Sequence, residues 1–439
     1  MDHATPHLPT NDPQRTLLHN EVHARPPARI HLPALVTYVA VFNEDITRET
    51  ECAHLRQLPG HENLAPEALQ ANFLRLRCPG YTLKWERHTE FTRYSIVQAL
   101  PPGCDLDAQE PDLLAHVVTP PGWLGGIPGR TIAAIHMVMF DAPISPPAPA
   151  LARARNWLGD HTVVASLMGN NGHSMAVTDF WLHPSGFERM VVVCPAGTSQ
   201  TRAGRIAARL LELETYRLMA LRALPVVKDL APLLAESERQ LTSITAQLEN
   251  KSCSDQALLD TLVSLAGGVE RATAENVYRF SATRAYDALV TQRLGELRES
   301  PIPGTQTLGE FLQHRLKPAM ATVAATSQRL ASLSERIART SALLRTRVDI
   351  ATELQNQELL ARLTRGQDLQ LRLQSTVEGL SIAAISYYVV SLLLYVGKAG
   401  KAMGLPINPE MAAGALIPLV LWAVWRTTKK IHEKLHAGH

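Results

Sequence analysis

The sequence predicts an α+β protein. An N-terminal mixed α/β domain with a β-sheet is expected first, then a long-helix, coiled-coil section, then a C-terminal two-helix transmembrane hairpin. Three observations predict it. Strand-like runs broken by turn residues fill the chain up to about residue 195, Ala, Leu, Arg, Glu and Gln dominate from Ser199 to about Gly379, and two uncharged apolar runs follow. The corresponding boundaries are 1–198, 199–378, 379–425 and a basic tail, 426–439.

In the first section, β-branched and apolar runs predict strands at Leu35 to Phe42, Thr82 to Glu86, Phe91 to Gln98, Thr131 to Phe140, Thr162 to Leu167, Ser174 to Leu182 and Glu188 to Cys194. GNNGHS, Gly169 to Ser174, and HPSGF, His183 to Phe187, supply turn residues between them. GWLGGIPG, Gly122 to Gly129, lacks the spacing of a phosphate-binding loop and is expected to be a mobile loop.

In the second section, prolines 225, 232, 301, 303 and 318 are expected to divide the helices. Ala319 to Val396 contains no proline and, if continuous, makes a rod of roughly 115 Å. Leu330, Leu333, Ile337, Leu344 and Val348 have the spacing of a coiled-coil seam, which intramolecular packing or self-association can satisfy. A rod of this length predicts a homo-oligomer.

In the third section, Gly379 to Gly397 is uncharged and covers roughly 28 Å, enough for a hydrocarbon core. Met411 to Trp425 is a shorter second span. Arg362, Arg365 and Arg372 before the first span, and Arg426, Lys429, Lys430 and Lys434 after the second, outweigh Lys398 and Lys401 between them. Both termini are therefore expected in the cytoplasm, with the lipid bilayer as a partner.

Composition excludes some functions. Lys and Arg number 43 against 41 Asp and Glu, so nucleic-acid binding through a strongly basic surface is not expected. Cys52, Cys78, Cys104, Cys194 and Cys253 form no C-x-x-C pair and read as reduced thiols. The N-terminal segment lacks the pattern of a secretory signal.

Two segments offer candidate chemistry. In LLHNEVHARPP, His19 and His23 are four apart and are weak metal-ligand candidates, but Asn20 stands where a zinc hydrolase places its glutamate. A zinc hydrolase centre is not expected there. Glu21, His23 and Arg25, held before Pro26 and Pro27, are ligand-binding candidates. So are Trp85, Glu86, Arg87, His88 and Glu90 of KWERHTEF. On a strand, Glu86, His88 and Glu90 would share one face, as a solvated row of ion pairs or as an acid/base or metal site. For Glu212, Glu214, Tyr216 and Arg217, ion pairing on a packed helix is expected. Neither catalytic residues nor a cofactor can be assigned.

NEVHARP at Asn20 to Pro26, KWERHTEF at Lys84 to Phe91, LLELETYRLMALRALP at Leu210 to Pro225, YRFSATRAY at Tyr278 to Tyr286 and LLRTRVDIATELQNQELL from Leu343 onward resemble a bacterial family of membrane-anchored proteins, domain of unknown function 3422. The resemblance implies a location in the bacterial inner membrane and no activity. The order of parts is also similar to CorA-type magnesium channels. Where those carry Gly-Met-Asn, this chain reads YVGKAG, Tyr395 to Gly400, and a lysine there would repel a cation. The expected function is a membrane-anchored body that binds a small ligand or a protein partner, with ion conduction as the alternative and a metal-dependent enzyme third.

Overall fold

The computed structural model describes residues 9, 12–15, 18, 26–101, 113–159, 161–250, 254–403 and 408–436. It divides into two compact units, residues 1–252 with 260–339, and residues 253–259 with 340–439.

The first unit is built on a nine-stranded sheet of order β2-β3-β4-β1-β5-β8-β7-β6-β9. Its strands are β1 (Ala34–Phe42), β2 (Phe73–Cys78), β3 (Tyr81–Arg87), β4 (Phe91–Ala99), β5 (Arg130–Asp141), β6 (Val164–Met168), β7 (Ser174–Thr178), β8 (Glu188–Cys194) and β9 (Ser300–Pro301). Only β5 and β8 pair in parallel; the other neighbours are antiparallel. Seven strands coincide with the predicted runs. The run expected to extend to Leu182 ends at Thr178, because Phe180 turns the chain with φ 50°.

Side-chain alternation gives the sheet two covered faces. On one, Val39, Val41, Leu83, Trp85, Tyr94 and Ile96 form a core with Cys52 and Leu55 of α1 (Arg48–Leu55). Farther along, Val138, Phe140, Val177 and Val191 pack with Leu151 and Trp157 of α2 (Ala148–Leu158). GWLGGIPG belongs to this packing: Trp123 is buried and stacks on His54 with ring centroids 4.5 Å apart, so the glycine-rich segment is a packed connection.

The opposite face lies under α3 (Gln200–Leu221), capped by the Ser199 side chain. The Tyr38 and Thr215 hydroxyls hydrogen-bond at 2.7 Å. A Cβ on Gly204 would stand 1.7 Å from the Ala28 carbonyl oxygen, so glycine lets α3 approach the segment beside it.

Helices α4 (Ala223–Asn250) and α5 (Asp255–Leu297) follow, then α6 (Leu308–Ala402) and α7 (Pro409–His436). Pro232 and Pro318 lie inside α4 and α6 and break neither. Helix α6 starts before the expected Ala319 because Thr307 and Glu310 form a capping box, each side chain meeting the other's backbone N–H at 3.1 and 3.0 Å. The lost bond and clash at Pro318 cost on the order of 3 kcal/mol. Burial of Leu312, Leu316, Met320 and Val323 offsets this. The seam residues Leu330, Leu333 and Ile337 are buried within this unit. Arg329 pairs with Glu238 of α4 at 2.8 Å, and Lys317 with Asp287 of α5 at 3.1 Å.

In the second unit, Leu344 is buried and Arg347 pairs with Asp255 at 3.0 Å. Residues 349–377 of α6 are exposed throughout. Beyond them, Ser386 of α6 and Ala413 and Val420 of α7 are buried, and a Cβ on Gly397 would touch Pro409. Both helices are long and apolar enough to cross a membrane, with mean hydropathy 1.9 and 1.3 over their most apolar windows. Only 6% and 11% of those windows are buried, unlike the core of a soluble domain.

Candidate functional site

KWERHTEF forms the end of β3, a turn and the start of β4, placing its residues in four environments. Trp85 is fully buried in the core under α1. Glu86 faces α3 and is 2% exposed, so the ion pairs of this face are present but solvation is not. Its carboxylate meets Lys84 at 2.9 Å and Arg93 at 2.5 Å. Arg93 continues to Glu212 of α3 at 3.0 Å, and Glu212 to Arg293 of α5 at 2.7 Å. Burial alone would raise the Glu86 pKa; Arg93 and Lys84 outweigh it and hold the carboxyl at about 2. Burial lowers Lys84 although Glu86 opposes the shift, because Lys84 shares that carboxylate with Arg93.

The strand ends at Arg87, so Glu86, His88 and Glu90 do not form one continuous strand face. Arg87 points to α1, 2.7 Å from Glu51. The His88 carbonyl accepts from Asn43 at 2.8 Å, and its ring stacks on Phe91 at 4.6 Å. Glu90 pairs with Arg222 at 3.5 Å and with Arg279.

Around this turn opens a cleft of about 340 Å³, lined by Arg48, Asn72, Arg87, His88, Phe91, Tyr216 and Tyr286, with Thr89 and Leu289. Arg48 donates to the neutral amide of Asn72 at 2.8 Å. Burial raises the Tyr216 and Tyr286 pKa values, Glu212 adding at Tyr216 and Glu90 at Tyr286, so both hydroxyls stay protonated as donors. Arg87 and Tyr286 are engaged by Glu51 and Glu90, so the donors the lining offers a small anion are the Arg48 guanidinium and the Tyr216 phenol. KWERHTEF, the run with Tyr216 and the run with Tyr286 converge here, although far apart in sequence. Glu21, His23, Arg25 and His19 lie outside the described residues.

Three further groupings were not read as sites from the sequence, although ion pairing was expected of Glu214 and Arg217 in one of them. Arg202, Arg205, Arg209, Arg298 and His173 line a second groove of about 690 Å³, where Glu296 pairs with Arg209 at 3.4 Å. Glu188 of β8 is buried against Glu214 and Arg217 of α3. His161, Asp179 and His183 bring donor atoms within 4.8 Å of one another. Each set gathers residues distant in sequence, with local spacing only within the pairs Asp179 and His183, Glu214 and Arg217, and among Arg202, Arg205 and Arg209.

Fold and cleft together define a mixed-sheet body joined to two helices long and apolar enough to cross a membrane. The chain belongs to the family described as "Protein of unknown function (DUF3422)", whose model matches residues 10–435. No curated protein matches it significantly.

Proposed function

We propose that this is a bacterial inner-membrane protein, anchored by α6 and α7 with both ends in the cytoplasm, whose body binds a small anionic ligand in the cleft at residues 88–90. One observation carries the ligand reading. Three of the runs by which the chain resembles the family line one cleft, together with the exposed Arg48 guanidinium. A volume of about 340 Å³ suits a small metabolite rather than a polymer.

The test uses the full chain in detergent, titrated calorimetrically with succinate and inorganic phosphate as carboxylate and phosphate probes. At least one should bind, and Arg48→Gln and Tyr216→Phe should each weaken it by about fivefold or more, about 1 kcal/mol. Arg48 is exposed, so its replacement should leave the fold intact. No binding by either probe, or unchanged affinity in both variants, would refute this reading.

A further inference from the structure

The end of β7 carries a second, separate site. After Thr178 the positive φ of Phe180 bends the chain so that Asp179 and His183 lie side by side, Oδ2 of Asp179 3.0 Å from Nε2 of His183. The other carboxylate oxygen, Oδ1, accepts the backbone N–H of Trp181 at 3.1 Å, which fixes the carboxylate's rotation. His183 is held by its own backbone: its N–H donates to Phe187 at 3.1 Å and its carbonyl accepts from Gly186 at 2.8 Å. The two side chains are 0% and 3% exposed.

The third group comes from the segment between α2 and β6. His161 stacks on Trp181 with centroids 5.0 Å apart and planes 23° from parallel. Its ring stands 5.7 Å from that of His183, edge toward face. His161 is exposed and borders a cavity of about 860 Å³ that Arg155, Asn156 and Thr162 also line.

We infer that His161, Asp179 and His183 form a site for a divalent transition cation of the zinc class. Two imidazole nitrogens and one carboxylate oxygen are the donors such ions take, at about 2.0–2.2 Å each. Ligand atoms around a tetrahedral ion stand roughly 3.3 Å apart. The present spread, up to 4.8 Å, closes by a small swing of the exposed His161. Asp179 and His183, buried and fixed by backbone bonds, supply the prearranged half of the site. Three protein ligands leave a fourth position for water or a ligand oxygen from the cavity. A purely structural Asp179–His183 pair would need neither His161 nor an open coordination position, and that difference can be measured.

The experiment strips the full detergent-solubilised chain with a chelator, then titrates it with zinc, using cobalt(II) absorption to report imidazole ligation. About one zinc per chain should bind. His161→Ala, at the surface, should weaken zinc by at least about tenfold while leaving the metal-free melting temperature unchanged. Asp179→Asn should weaken it as well, and Arg48→Gln should not. The inference is overturned by the absence of stoichiometric zinc at micromolar concentration, by wild-type affinity in His161→Ala, or by zinc that is lost only on replacing His19 or His23.

Discussion

Glu86 and Glu188 are buried carboxyl groups on the sheet face under α3, and their neighbours drive them in opposite directions. Glu86 has Arg93 and Lys84 beside it and ionises far below its ordinary value of 4.5, at about 2. Its contribution to stability is therefore complete above 4.5 and is lost as pH falls through about 2. Glu86→Gln leaves Arg93 with Glu212 alone and should cost about 3–5 kcal/mol near neutral pH, shrinking toward pH 2. Urea unfolding of wild type and variant at several pH values measures this. Glu188 is pushed well above the carboxylate range by burial and by Glu214, more than Arg217 relieves. The folded chain holds a proton there that the unfolded chain releases, so stability falls as pH rises above the ordinary 4.5. Glu188→Gln should raise the unfolding midpoint at about pH 8 and have little effect at about pH 4. An effect of equal size at both would contradict the assignment.

At the scale of elements, the seam of α6 is covered from within. Leu333 is 1% exposed and Ile337 2%, so truncating Leu333 to Ala should cost about 3 kcal/mol of folding stability without changing the assembly state. Denaturant midpoints and mass measurement on the same sample check both halves. Much of this was legible in the sequence. Val, Ile and Thr runs marked seven strands because both faces of the sheet are covered, leaving few polar interruptions. FLRLRC of β2, the edge strand, escaped because it alternates Leu and Arg without the β-branched residues that marked the other runs, and β9 is too short for any pattern. Prolines 232 and 318 misled because local backbone cost was set against tertiary burial that only the packed helices reveal. Four of the nine residues lining the cleft, Arg87, His88, Thr89 and Phe91, belong to KWERHTEF. Arg48, Asn72 and Tyr286 joined it through strand pairing and helix docking, which no local spacing encodes.

At the scale of the whole molecule, two apolar surfaces are exposed among the described residues. The first is residues 349–377 of α6, where Ile350, Leu354, Leu363 and Leu373 are each more than half exposed. We propose that other copies of the chain cover these residues, which are distributed around the helix. Mass in mild detergent should be a multiple of the 48.2 kDa chain, and Leu363→Asp with Leu373→Asp should lower it toward one chain. Wild type that is already monomeric would remove both the oligomer and an oligomeric ion channel. The second surface is the paired apolar region of α6 and α7, whose exposed residues include Tyr387, Leu392, Leu419 and Trp422. It is the basis of the anchoring claim, and labelling intact cells tests that claim most directly. In a background without native cysteines, Ala399→Cys, between the spans, should react with a membrane-impermeant maleimide, while Lys430→Cys should react only after the cells are opened. Protection at both positions in intact cells, or labelling of Lys430→Cys alone, would contradict the anchored hairpin with its ends in the cytoplasm.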